Sequence, residues 1–264
     1  MTTNIIQIHF RIAATLFLVS AVLFSISACK GKEDSSRLSA GGSGQELNNR
    51  MTLAERYPSI DKGSTTPENK KILCPFLRLM ERAGLFHPEK EEQTALTASI
   101  IKIARSAREF GCGMLECGAV ATLVSGGQAT EGAVMPGRVN LERLHQARGV
   151  AHECGLTFAP GGTEVSDQVR NNTLQRLAAR SKNGRLGFRD IMAVKLEICA
   201  EQGVELSKAG GTEVSLIYTW LGGMDRGYVE LEDIRSLFHA ELPATISLSL
   251  LTRELFDRLK EEQM

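Results

Sequence analysis

Cys74-Pro75-Phe76-Leu77-Arg78-Leu79-Met80-Glu81-Arg82-Ala83-Gly84-Leu85-Phe86 is the stretch from which the rest of the chain is best read. Proline at the second place gives up an N–H that a first helical turn would leave unpaired anyway, so a helix starts at Pro75. Gly84 closes it about nine residues later, at residue 83. Cys74 then falls on the cap, where free N–H groups and the positive end of the helix dipole favour a thiolate. A small buried cysteine ahead of a helix fits the same letters. Chemistry at Cys74 therefore needs company from elsewhere in the chain.

Outward from this helix, apolar residues recur at helical spacing almost everywhere after position 70. The pattern predicts helices near 75–83, 92–110, 114–124, 140–151, 167–181, 188–207, 212–222, 231–239 and 248–261. Breaks fall at Gly84, Gly126-Gly127, Gly161-Gly162, Asn183-Gly184, Gly210-Gly211 and Gly222-Gly223. Strand alternation is scarce, so the expectation is a mainly α, single all-helical domain. Two of the breaks look like half of a calcium loop. With Gly184 and Gly227 as the bending glycines, the first ligand places fall on Ala179 and Gly222, the third on Ser181 and Met224, and the fifth on Asn183 and Arg226. Calcium wants several carboxylates there, so these segments read as helix-connecting turns.

Composition narrows the function. Thirty-one Lys and Arg balance 31 Asp and Glu across 264 residues, which leaves no basic footprint for nucleic acid. Apolar residues at 42% are enough for a core, and one Trp among 5% aromatics argues against a stacking platform. At the front, the run from Ile12 to Ile26 follows Arg11 and is short for a membrane span but right for a signal peptide. It ends in Ile26-Ser27-Ala28-Cys29, which resembles the bacterial lipobox. That resemblance implies removal of residues 1–28, acylation of Cys29 and a lipid anchor in the bacterial envelope. Lys30, in place of an aspartate, favours the outer membrane. Residues 29–60 read as the lipidated N-terminus and a flexible linker, with Ser39-Ala40-Gly41-Gly42-Ser43-Gly44 at its middle. Residues 61–264 read as the domain, which meets the membrane through the anchor alone.

Three blocks of that domain carry a family resemblance. The first is the Cys74-Pro75 segment. The second runs from Val139-Asn140-Leu141-Glu142 to Gly149-Val150-Ala151-His152-Glu153-Cys154-Gly155-Leu156-Thr157. The third is Gly211-Thr212-Glu213-Val214-Ser215-Leu216-Ile217, closing on Phe238-His239-Ala240-Glu241-Leu242-Pro243. In order and spacing they resemble the haem-thiolate peroxidases, the family of chloroperoxidase and the unspecific peroxygenases. The resemblance implies haem b with Cys74 as the axial iron ligand, a thiolate that favours O–O cleavage. Hydrogen peroxide would be the oxidant, and a small organic molecule or a halide the substrate.

By the same resemblance Glu213 is the acid–base carboxylate that moves the peroxide proton. The helix reading puts Glu213 in a first turn behind Gly210-Gly211. His152 would hydrogen-bond to it, and Glu153 would fix the imidazole from behind. Val150 and Leu216 would line the distal pocket. The chain departs from the family at Ala151 and Gly155, where a glutamate and a serine help bind a divalent cation. Neither side chain has a ligand atom, so the structural magnesium or manganese does not carry over. Four cysteines, Cys112, Cys117, Cys154 and Cys199, allow three pairings that sequence does not choose between. A local Cys112–Cys117 bridge would need a loop between them. The rival reading is a non-catalytic helical lipoprotein that kept the fold, lost haem and binds a partner in the envelope.

Overall fold

A computed structural model of the protein describes residues 52–86, 96–112 and 114–246. The segment expected to be a signal peptide, Cys29, most of the expected linker and the helix expected at 248–261 lie outside the described residues. The described body begins earlier than residue 61. Thr52 opens helix α1 (Leu53–Arg56) with a capping box, in which Glu55 answers the Thr52 backbone. A 3-10 turn, Pro58–Ile60, follows. Ile60 is fully buried, and its carbonyl accepts from the Leu242 N–H at 2.8 Å. Residues 52–60 are therefore folded onto the body, with Ile60 in its core.

Helix α2 (Pro75–Arg82) starts where the proline predicts, with Cys74 as its cap. Strand β1 (Thr97–Ser99) leads into α3 (Ile100–Glu109), whose cap is Ser99. Helix α4 (Met114–Thr130) comes next, then β2 (Arg138–Asn140), paired antiparallel to β1 with Ala98 opposite Val139. The 140–151 helix is overturned: only a 3-10 segment, Leu141–Gln146, forms there, kinked at Arg143. The remaining elements are α5 (Asp167–Arg180), β3 (Arg185–Leu186), α6 (Phe188–Glu201), α7 (Lys208–Trp220), α8 (Gly223–Arg226), β4 (Val229–Glu230) and α9 (Leu231–Phe238). The protein is mainly α, with two short ladders pinning loops.

Two glycine pairs read as breaks lie inside helices. A Cβ on Gly127 in α4 would sit 2.5 Å from the Arg148 carbonyl. A Cβ on Gly210 in α7 would sit 3.2 Å from Lys195 Cε. These glycines admit a neighbour; they do not end a helix.

The apolar side chains gather in two clusters, one around α5, α6, α7 and α9 and one around α2, α3, α4 and the β1–β2 ladder. Trp220, at the end of α7, packs on both. Three arginines also tie the parts together. Arg78, fully buried, donates to Ile72 O at 2.8 Å and Phe238 O at 2.9 Å, and pairs with Glu68 at 3.1 Å. Arg170 reaches the same Glu68 and the same Phe238 carbonyl. Arg82 donates to His239 O and Ala240 O. The carbonyls that α9 leaves free at its C-terminus are thus met by guanidinium groups, as a buried helix end requires.

Candidate functional site

Glu213 lies in the second turn of α7, because the helix starts at Lys208 behind the Ser207 cap, earlier than the glycine pair suggested. From there its carboxylate meets His152. Nε2 of the imidazole is 3.2 Å from Glu213 Oε2, although 61 residues separate the two in sequence. The imidazole Nδ1 faces the Val150 carbonyl at 3.4 Å, and the ring leans on Phe158 with centroids 5.7 Å apart. The two side chains, from separate blocks of the sequence, are in contact.

A third member was not foreseen. Lys195 on α6 is fully buried, and its Nζ donates to the same Glu213 oxygen at 2.6 Å. The signal was present in the sequence: Lys195 sits four residues after Ile191 and three before Ile198, on the apolar stripe of its helix. A lysine in that register must find an anion. Gly210 leaves the space its stem needs.

Burial is the strongest single influence on Glu213 and raises its pKa. The charges and hydrogen bonds of Lys195 and His152 together outweigh burial and bring the pKa down to about 2. The carboxylate is held as an anion.

The disulfide Cys154–Cys199 staples this arrangement. Cys154 follows His152 by two residues, and Cys199 lies one turn beyond Lys195 on α6. The bridge therefore fixes the loop that offers the imidazole against the helix that offers the ammonium. The second disulfide joins Cys112, in the loop after α3, to Cys117 in α4. Glu153 does not support the imidazole. It is exposed, and its carboxylate accepts from the Gly161 N–H at 3.1 Å. Gly155 is fixed by packing, since a Cβ there would meet the Phe158 ring at 2.2 Å. A serine has no room in this place.

Cys74 is an unpaired thiol at the start of α2. Cys74 is half-buried, and desolvation, the largest influence on the thiol, pushes its pKa up, against the helix dipole. The N–H groups of Leu77 and Phe76 and the charge of Arg78 pull the other way without prevailing, and the Glu213 anion adds to the rise. Arg78 itself is engaged by Ile72 O, Phe238 O and Glu68.

The carboxylate expected opposite a Cys74-held haem is pinned by the buried Lys195 ammonium. Two open surface depressions, about 320 and 620 Å³, lie side by side along Arg143 and His145. None of Cys74, His152 or Glu213 lines either of them. Neither a protein-family model nor a curated protein matches this chain in sequence.

Proposed function

We propose that this chain is a non-catalytic helical lipoprotein of the bacterial envelope, tethered through Cys29 and acting through a bound partner. The observation that carries this reading is the closed state of the buried constellation around Glu213. Lys195 and His152 both engage a single oxygen of Glu213, and a carboxylate held at about 2 is a poor proton acceptor near neutral pH. A buried, hydrogen-bonded ion pair of this kind acts to fix the register of packed elements. Here it joins α6, α7 and the 150–157 loop.

One observation favours the peroxidase reading. Three residues expected from three separate blocks are drawn toward each other: His152 bonds to Glu213, and the Glu213 charge acts on the Cys74 thiol. A single experiment separates the two. The protein is incubated with haem in excess, reduced and exposed to carbon monoxide. The expected result is no red-shifted band of thiolate-ligated iron. Such a band in wild type, lost in Cys74→Ser and kept in Cys112→Ser, would overturn the non-catalytic reading in favour of a peroxide-using enzyme. The anchor is tested alongside, by detergent partitioning of Cys29→Ala, which is expected to leave the membrane fraction.

A further inference from the structure

The two helix–loop–helix units at the C-terminal side, α5–β3–α6 and α7–α8–β4–α9, share a register that their sequences barely show. Gly184 and Gly227 both sit in the left-handed region, at φ +76° and +75°, where a calcium loop places its sixth residue. Two residues on, Leu186 and Val229 face each other in the antiparallel ladder. Six residues on, Asp190 and Asp233 take the twelfth place, inside the first turns of α6 and α9. The frame of a paired calcium-binding unit is present. Its full set of ligands is not.

What stands in their place differs between the loops. In the first, Ser181 turns back to donate to Ala178 O at 2.8 Å, and Asp190 accepts from the Gly187 N–H at 2.8 Å. Both are spent on capping. In the second, the fifth place is Arg226, whose guanidinium folds back over the start of the loop. Nη2 donates to Leu221 O at 2.6 Å, and Nη1 reaches Thr245 Oγ1 at 3.4 Å. A Cβ on Gly222, at the first ligand place, would lie 3.4 Å from Arg226 Nε. Asp233, 3% exposed, accepts from the Ala244 N–H at 2.9 Å and the Thr245 N–H at 3.4 Å.

We propose that Arg226 is the built-in cation of the second loop, a guanidinium that does a divalent ion's work of drawing the loop closed. It gathers the Leu221 carbonyl and Thr245, while Asp233, the residue that would otherwise complete a metal shell, holds the same 244–245 segment from the far side. A planar fork with several donors suits this role, because it spans carbonyl and hydroxyl at fixed angles. The second loop is thereby locked without metal, and its conformation does not answer to calcium.

Thermal unfolding of the whole protein in calcium and in chelator tests this. Wild type is expected to melt at one temperature in both. Arg226→Met should melt lower by about 5 °C, the size of a lost charged hydrogen-bond donor in a body of this length. Arg226→Lys, which keeps the charge and loses the fork, should fall between and remains measurable if the Met variant does not fold. A wild-type protein that melts higher in calcium would overturn the proposal, as would Arg226→Met or Arg226→Lys melting with wild type.

Discussion

Replacing Lys195 with Met is the most demanding test of the site. The substitution keeps the length of the stem and removes the ammonium, leaving Glu213 buried with His152 as its remaining partner. Breaking a buried ion pair from one side costs about 3–5 kcal/mol, because the other charge stays desolvated. In a body of this size that corresponds to a fall in Tm of roughly 6–20 °C.

The acid limb gives an independent figure. A carboxylate whose pKa falls from 4.5 to about 2 on folding contributes about 3 kcal/mol, in full above 4.5, and loses it as pH drops toward 2. In Lys195→Met the lowering is smaller, so acid unfolding should begin at higher pH. Denaturant titrations from pH 2 to 7 read both effects. The double variant Lys195→Met/Glu213→Leu, which removes both charges, should recover most of the loss. A Lys195→Met protein within about 1 kcal/mol of wild type, with its acid limb unmoved, would refute the account of Glu213.

Two further outcomes follow from the packing. Gly155→Ser restores the residue of the resembled family, yet the Phe158 ring occupies its space, so a loss of about 1–3 kcal/mol by denaturant titration is expected, and a neutral result would show that the ring moves freely. Removing Cys154–Cys199 opens a 45-residue span where Cys112–Cys117 opens five, so chain entropy puts the losses at about 4 and about 2 kcal/mol respectively. Melting of each paired Cys→Ser variant checks that order, and the reverse order would mean that native packing outweighs loop closure.

Much of this protein was set by local rules. The helix at Pro75 and the helical class follow from single residues and from apolar spacing, which act within one or two turns. The contact of His152 with Glu213 joins two blocks 61 residues apart, and the sequence offered it as an expectation only.

Four things were not set locally, and each depends on residues far apart in the chain. Lys195 on an apolar stripe announces a need for an anion but not which one; the packing of α6 on α7 through Gly210 supplies Glu213. Glycine pairs read as breaks because a sequence shows missing side chains and not the backbone or lysine stem that fills the gap. The thiol at Cys74 had the dipole in its favour, and burial, which only the assembled core determines, reversed the balance. Arg226 is the clearest case: its position in the loop came from counting residues, but a guanidinium acts as a cation for the loop only once Leu221 and Thr245 are brought to it.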